Sequence, residues 1–502
     1  MIRGIITGKI LFLCLTGALL GGCSTVVNSH RQKADMMTAY EYGNNAAVLQ
    51  EIGQKLRPPA WYNSSVVNTG DEVMWRLEAG SMNFHLGNFK ECTRQLAIAE
   101  RLIHEYDDRA KISARDAGAE AGTAVTNLNT LPYRGLCRDR MALSIYKSLA
   151  YLGSDNESAF RAQLRRLRDE QKKVQDDYRE FFEKENERIA AEKKNNPDAA
   201  KKSEEAGSGK TNGQNAEFNA GWEDVKKVAN RGYGNFLNPA AIFLSGLGLV
   251  RDENFDTARI DFKRLYEAMP GNPLMQRYYV TVLRKADRPV PRELARVKPF
   301  AFPLERDCVY VIFANGKSAA FRQIAVYFPI MTAWPMCEFY AAPFEKMEVR
   351  ADGKSHGTFV LADMDGIIAQ EFNERLPGII TRIVLGTLIK EGAYYAGLAV
   401  IARSNMNPVA KLFTWLAVAI GGAAYRTAMN TADTRSWEIL PKEFQLTQFP
   451  MPKNREITLD LVGSGSAERS VQIPDGCRSA VIFVSAPSER NVTCHVLPIK
   501  SK

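Results

Sequence analysis

The sequence lacks the short motifs that mark most catalytic and metal-binding sites. Neither HExxH nor GxSxG occurs in its 502 residues, and the few histidines do not have metal-site spacing. These histidines are His30, His85, His104, His356 and His495. We therefore expect no enzyme, no cofactor and no metal, while a catalytic triad assembled from distant residues stays open, because chain order does not fix one.

Two segments begin or end like ligand loops but depart from the full pattern. The segment Gly207–Thr211 ends like a phosphate-binding loop, but the glycine required five positions before Gly209 is replaced by a glutamate. Asp363–Gly366 begins like a calcium loop, but its fifth and sixth positions are Ile367 and Ile368, where an oxygen ligand and a glycine are needed. The sequence thus predicts no nucleotide site and a plain turn before a helix.

A dense basic block and a long apolar run are also missing. The formal net charge is +9, and the surplus is spread along the chain, so the charge does not predict nucleic-acid binding. The uncharged runs Gly392–Ala402 and Leu412–Tyr425 are each shorter than the roughly 20 apolar residues that span a bilayer. They predict a helical hairpin buried against a sheet, with membrane insertion as the alternative.

The N-terminus has the three parts of a secretory signal. Arg3 and Lys9 form a positive end, an apolar stretch runs from Ile10 to Leu20, and small residues follow. The order Leu20-Gly21-Gly22-Cys23 resembles the lipobox of bacterial lipoproteins. It predicts a signal peptide over 1–22, lipid (diacylglycerol and palmitate) on Cys23, and a tether over 23–34.

The predicted lipid also predicts where in the cell the protein lies. Several acyl chains on one residue give stable membrane attachment, whereas a single chain gives only reversible binding. In the lipoproteins that this signal resembles, an aspartate after the cysteine retains the protein in the inner membrane, and here that residue is Ser24. We expect a lipid anchor in the outer membrane with the body facing the periplasm.

Six cysteines remain beyond the signal peptide and the lipobox. An even number in an exported protein predicts disulfides, and we expect sequential pairs because each pair lies within one predicted subdomain. Six free thiols are the alternative. The six are Cys92, Cys137, Cys308, Cys337, Cys477 and Cys494.

Residues 35–290 have helical periodicity, with three stretches that resemble tetratricopeptide (TPR) repeats. In the clearest, Asn238 caps a helix that Pro239 begins, and small residues then recur at positions where two helices approach closely. Ordinary helical hairpins are the alternative. The predicted repeat-packing residues are Gly80, Gly87, Ala99, Gly153, Ala159, Gly246, Ala258, Phe262 and Pro270.

The remaining segments complete an α+β multidomain prediction. A charged, flexible insertion is expected at about 183–215 within the N-terminal stack of TPR-like helical hairpins. Residues 296–502 predict a β-sandwich or barrel-like domain, in which a helical hairpin at about 365–430 is inserted. Asn315-Gly316 is a strong hairpin signal and predicts that strand 308–315 pairs with the strand that follows it.

An acid, an arginine and a tryptophan occur together in Asp433–Trp437, after the inserted hairpin. As a site, Arg435 and Trp437 would contact an anionic or sugar-bearing partner. As structure, Asp433 and Arg435 would form an ion pair while Trp437 fills the core. The structural interpretation is favoured because tryptophan is highly buried on average.

Several segments together resemble a family of bacterial lipoproteins with N-terminal TPR-like repeats and a strand-rich C-terminal domain. Besides the lipobox, these segments are Leu131–Gly135, Arg138–Arg140, Tyr233–Ala240, Asp433–Trp437 and Leu440-Pro441. Members of such families lie near lipoproteins that resemble activators of penicillin-binding proteins, which implies a role in the cell envelope. The resemblance assigns no functional residues, and the long polar insertion near residue 200 departs from it.

We therefore expect a membrane-anchored adaptor or scaffold whose helical repeats bind an envelope protein that the sequence does not identify. No nucleic acid and no nucleotide are expected as partners. A regulator of peptidoglycan synthesis or envelope assembly, a membrane-active protein using the inserted apolar hairpin, and an envelope hydrolase are the alternatives.

Overall fold

The computed structural model describes residues 29–115, 132–195, 215–234, 237–328, 330–404, 431–463 and 467–500, together with 197, 201, 411 and 414. Cys23, the predicted signal peptide and most of the predicted second inserted helix, 407–430, lie outside the described residues. So does Gly207–Thr211. In the described part the fold is α+β, with several sheets of which none closes into a barrel.

Twelve α-helices are described, and asparagine side chains cap several of them. The Asn238 side chain accepts hydrogen bonds from the backbone N–H of Ala240 and Ala241, with Pro239 in the first turn, which confirms the predicted cap. The helices are α1 Ser29–Gln32, α2 Ala34–Glu41, α3 Asn45–Lys55, α4 Glu72–His85, α5 Phe89–Arg115, α6 Cys137–Gly153, α7 Glu157–Asn195, α8 Ala216–Ala229, α9 Pro239–Arg251, α10 Phe255–Ala268, α11 Pro273–Lys285 and α12 Met364–Arg403.

The three predicted helical stretches each form a pair of packed helices: α4 with α5, α6 with α7, and α9 with α10. Small residues permit close approach, since a Cβ atom at Gly80 would lie 2.3 Å from Leu96 Cδ2 and one at Gly246 would lie 3.0 Å from Phe262 Cε2. A Cβ at Gly153 would meet the Phe89 ring at 2.6 Å. Glycine at these positions therefore brings neighbouring helices together.

The other predicted packing residues differ in their burial. Ala99, Ala258 and Phe262 are buried in the main core. Ala159 is only partly buried, and Pro270 is exposed, two residues after α10 ends. Gly87 lies in the turn between α4 and α5 with a φ of +76°, a conformation that disfavours other residues.

The close contact at Gly80 predicts a stability difference between two helical glycines. Gly80→Ala is expected to destabilise the protein by about 1–3 kcal/mol, because Leu96 must shift in a packed core. Gly53→Ala in α3 meets nothing within 4 Å and is expected to stabilise by about 0.5–1 kcal/mol through helix propensity. Urea unfolding of both variants tests this, and equal effects would contradict the close helix contact.

The described residues contain eleven strands, which form three sheets. The orders are β11-β10-β1-β7-β6, β2-β3 and β5-β4-β8-β9, with β1 and β10 parallel and the other pairs antiparallel. The strands are β1 Cys308–Asn315, β2 Ala320–Phe328, β3 Ile330–Glu338, β4 Phe344–Ala351, β5 Lys354–Gly357, β6 Phe359–Asp363, β7 Glu443–Pro450, β8 Glu456–Gly463, β9 Ala467–Gln472, β10 Ser479–Ser488 and β11 Asn491–Ile499.

The predicted hairpin at Asn315-Gly316 is wrong, although Gly316 does have a positive φ of +67°. Strand β1 pairs with β10 and β7, and β2 pairs with β3 in a separate sheet. The backbone N–H of Gly316 donates to Ala486 O (2.9 Å) and extends the pairing of β1 with β10, and the chain then continues into β2 of the separate sheet.

The five-stranded sheet has an apolar cluster on each face. Val309, Val311 and Phe313 of β1 belong to a cluster with side chains of β4 and β8, in the four-stranded sheet. Tyr310 and Ile312, on the other face, belong to the core that contains the helices. Because successive strand residues alternate in direction, β1 is buried along its whole length and connects the two cores.

Of two other predicted segments, one agrees with expectation and one differs. The first inserted helix is present as α12, which packs against α8 and β3. The insertion predicted as flexible from 183 is helical as far as Asn195, because α7 continues to that residue. At the other end, Asn215 exchanges two hydrogen bonds with the backbone of Tyr327 (3.2 and 3.0 Å). None of the described helices is both long and apolar enough to cross a membrane.

Candidate functional site at the chain entry

The described fold begins with a segment whose lysine is fully buried. Lys33, directly after α1, donates to Glu78 Oε1 of α4 (2.6 Å) and to the carbonyl oxygen of Ser436 (2.6 Å). Glu438 Oε1 lies 3.7 Å from the same ammonium group. The predicted tether over 23–34 is therefore wrong from Ser29 onward, because Lys33 has a buried carboxylate partner that its polar surroundings in the sequence do not reveal.

Glu78 joins the entry segment to the chain after the inserted helices. It is fully buried and accepts hydrogen bonds from the backbone N–H groups of Glu438 (2.9 Å) and Ile439 (3.0 Å), in addition to Lys33. Burial raises the pKa of Glu78, although Lys33 opposes that rise. The carboxylate thus links three segments that are far apart in sequence.

His30 extends this group of charged residues towards the surface. Its two ring nitrogens lie 3.4 Å from carboxylate oxygens of Glu338 and Glu438. The interaction with Glu438 raises the pKa of His30, and burial partly offsets the rise. We call His30, Lys33, Glu78 and Glu438 the entry cluster.

Arg435 and Trp437 are structural in the described fold, as the favoured interpretation predicts, and the alternative that they contact a partner is wrong. Arg435 donates to both carboxylate oxygens of Asp433 (2.9 Å each) and to Asp71 Oδ1 (3.1 Å). Burial alone would raise the pKa of Asp433, but Arg435 holds it below its usual range. Trp437 is fully buried, and its Nε1–H donates to Ser81 Oγ (3.0 Å). The predicted ion pair and the predicted core position are confirmed.

A second buried charged group lies at the start of α6. The carboxylate of Glu371 accepts from the backbone N–H of Cys137 (3.1 Å) and of Arg138 (3.4 Å). Arg138 is buried, its Nε lies 3.5 Å from Asp139 Oδ1, and its guanidinium group stacks over Phe321 at 4.9 Å. Glu371 already occupies this helix N-terminus, so the group joins α6 to α12.

Comparisons with known proteins add nothing to this geometry. No family model, no curated protein and no solved structure matches the chain. The interpretation of function therefore depends on the residues themselves.

None of the six cysteines, all of which lie in the described part of the chain, forms a disulfide, and the geometry explains why the sequential pairs do not form. Helices α5 and α6 are antiparallel, as the contacts Glu100–Lys147 and Asp107–Arg140 show, so Cys92 and Cys137 lie at opposite ends of the pair. Cys494 is paired in register with Val484, far along β10 from Cys477. Cys308 and Cys337 lie on strands of different sheets. The predicted disulfides are therefore absent from this fold.

The histidines mostly serve packing. The ring of His85 contacts the Asn491 side chain (3.1 Å), and His495 Nε2 contacts the carbonyl oxygen of His85 (3.0 Å). Burial lowers the pKa of His85 to about 4, so its ring is neutral at physiological pH. Among the described residues, no group of three or more His, Cys, Asp or Glu side chains could hold a metal ion.

Sequence reasoning missed every member of the entry cluster. Lys33 and Glu78 are separated by 45 residues, and Lys33 and Ser436 by 403. No local spacing rule relates residues at such distances. The one available signal was the Asp433–Trp437 segment, whose structural interpretation indicated that this part of the chain is fixed in the core.

Proposed function

We propose that the protein is an envelope lipoprotein, anchored through lipid on Cys23, whose helix pairs bind a protein partner as an adaptor. The observation that carries the proposal is the combination of the lipobox-like segment Leu20–Cys23 with an entry segment that begins at Ser29, six residues after Cys23, and is held by the buried Lys33. A lipid on Cys23 would then hold the body close to the membrane. Confinement to a surface raises the effective concentration for partners within reach.

The helix pairs are the proposed partner surface. Three successive helix pairs support a TPR-like stack: Gly80 and Gly246 allow close contact within the first and third pairs, and Gly153 allows close contact between the second pair and α5 of the first. Such stacks offer extended surfaces suited to a peptide or a partner helix. For the strand-rich half we propose a β-sandwich, supported by the apolar cluster that β1 and β10 share with β4 and β8.

Photo-crosslinking in cells tests whether the helix pairs bind a protein partner. A crosslinking amino acid replaces Arg101 of α5 or Lys263 of α10, whose side chains are 60% and 57% exposed. Arg350 of β4, 50% exposed, is the matched control on the sheet side. We expect a discrete crosslinked protein from positions 101 and 263, and none from position 350.

The anchor is tested in the same cells with Cys23→Ser. We expect this variant to lose labelled palmitate, to leave the outer-membrane fraction and to lose most of the crosslinked product, because the effective concentration falls. Palmitate labelling that persists would overturn the anchor at Cys23. Crosslinks at position 350 alone, or at no position, would overturn the adaptor role of the helix pairs.

A further inference from the structure

The loop between α3 and α4 exposes two neighbouring aromatic side chains. Trp61 is 97% exposed and Tyr62 is 76% exposed, and their rings meet edge to face with centroids 5.5 Å apart. Tryptophan is highly buried on average, and clustered exposed apolar groups mark interaction sites. We call residues 55–66, which carry this pair, the aromatic loop.

Hydrogen bonds hold the aromatic loop in a defined shape. The backbone N–H of Val66 donates to Lys55 O (2.9 Å) and closes the base of the loop. The Asn63 side chain donates to Pro58 O (2.9 Å), and its oxygen accepts from the backbone N–H of Ala60 (3.2 Å). In a compact loop whose ends are joined, the two rings already have a defined position before binding. This preorganisation reduces the entropy lost on binding.

The charge of this region suits an anionic surface. Residues 52–70 include Lys55 and Arg57 and contain no aspartate or glutamate. Glu51, directly before this stretch, interacts with Lys55, so the exposed Arg57 carries the positive charge of the loop. The next acidic residue, Asp71, is already paired with Arg435. Basic residues near anionic phospholipid headgroups are favourable at short range.

The base of the aromatic loop lies close in space to the point where the chain enters the described fold. Ser29 Oγ contacts Met74 Sδ of α4 (3.2 Å), and α4 is the helix to which the loop leads. Lys33 Nζ and Lys55 Nζ both lie against the Trp75 ring, 5.8 and 5.7 Å from its centroid. The entry segment and the base of the loop therefore meet at one side of α4.

The short stretch of chain between Cys23 and Ser29 keeps this side of α4 close to the predicted anchor. Only residues 24–28 separate Cys23 from Ser29. An extended chain advances about 3.3–3.6 Å per residue, so this stretch spans roughly 20 Å at most. Given the lipid anchor proposed above, the base of the aromatic loop lies near the membrane surface.

We propose that Trp61 and Tyr62 insert into the headgroup region of the membrane that holds Cys23, with anionic phospholipid as the occupant of this surface. The inference rests on the proposed lipid anchor. Tryptophan and tyrosine favour the membrane–water interface, where one part of the ring system is apolar and another is hydrated. The loop is then a second attachment point, which fixes the orientation of the helix pairs over the membrane.

Depth-dependent fluorescence quenching of the full-length protein tests the insertion. The protein is reconstituted in vesicles of phosphatidylethanolamine and phosphatidylglycerol, with and without lipids brominated near the headgroup. We expect the wild type to lose more emission than Trp61→Phe, so that the difference reports Trp61. Trp222→Phe, which removes a partly buried tryptophan of α8, is the matched control and should leave the quenched emission unchanged.

The remaining outcomes separate this inference from the proposed anchor. Mass spectrometry of the N-terminal peptide from the same sample reports lipid on Cys23 independently. Lipid on Cys23 without quenching of Trp61 would overturn the insertion alone. Quenching of Trp61 without lipid on Cys23 would support the insertion and overturn the anchor. Quenching of Trp61 that persists fully in phosphatidylcholine vesicles would overturn anionic lipid as the occupant. A shift in Trp61 emission that only added glycan strands or peptides cause would also overturn it.

Discussion

Lys33→Met is expected to lower the free energy of unfolding by about 3–5 kcal/mol, because it leaves a buried carboxylate without its cation. Lys33 and Glu78 are both fully buried, and their charged atoms are 2.6 Å apart. After the substitution, Glu78 keeps only the backbone N–H donors of Glu438 and Ile439. Chemical denaturation of the purified variant measures the loss.

Two further variants identify the cause of that loss. Lys226→Met removes a cation from the exposed pair Lys226–Glu223, and we expect a change of about 1 kcal/mol or less. The double variant Lys33→Met with Glu78→Gln removes both buried charges and should recover part of the stability. A double variant as unstable as Lys33→Met would show that lost packing, and not the unpaired charge, causes the effect.

The loss from Lys33→Met should also depend on pH. Burial raises the pKa of Glu78, and Lys33 opposes the rise, so removing Lys33 raises that pKa further. A carboxyl group with a raised pKa binds more protons in the folded state than in the unfolded state. Its contribution to stability is fully present below the unfolded pKa and is lost as pH rises through the folded pKa. The difference from wild type should therefore grow from mildly acidic to neutral pH, and a constant difference would contradict an ionised Glu78.

Local signals predicted those features of the fold that depend on neighbouring residues. The bounds of β1, the cap at Asn238 and the ion pair of Asp433 with Arg435 all follow from short-range preferences. Each of these involves partners within a few residues. Helix pairing was also predictable, because α4 and α5, for example, are joined by a short turn.

Long-range pairing was not predictable from the same signals. Strand β1 pairs in parallel with β10, with Val309 opposite Ala480, because this arrangement buries both faces of β1. The turn preference of Asn315-Gly316 contributes less to stability than that burial, so no hairpin forms there. The sequence places Lys33 in a tether for a related reason, since composition cannot reveal a carboxylate partner on another helix.

Trp437→Ala is expected to destabilise the protein by about 3–5 kcal/mol, because it leaves a large cavity beside the entry cluster. Trp437 is fully buried, contacts the Tyr146 ring at 5.8 Å between centroids and donates to Ser81 Oγ. Ser436, the preceding residue, supplies the carbonyl oxygen that accepts from Lys33. The cavity should therefore also loosen the position of the entry segment.

Trp61→Ala is the matched control, since the same substitution removes a tryptophan that is 97% exposed. We expect a change within about 0.5 kcal/mol, as for most surface substitutions. Chemical denaturation of both variants in the absence of lipid makes the comparison. If Trp437→Ala were tolerated as well as Trp61→Ala, Trp437 would not fill the core, and its assignment as a partner contact would have to be reconsidered. A large loss from Trp61→Ala without lipid would instead show that the aromatic loop serves the fold and is not free to enter a membrane.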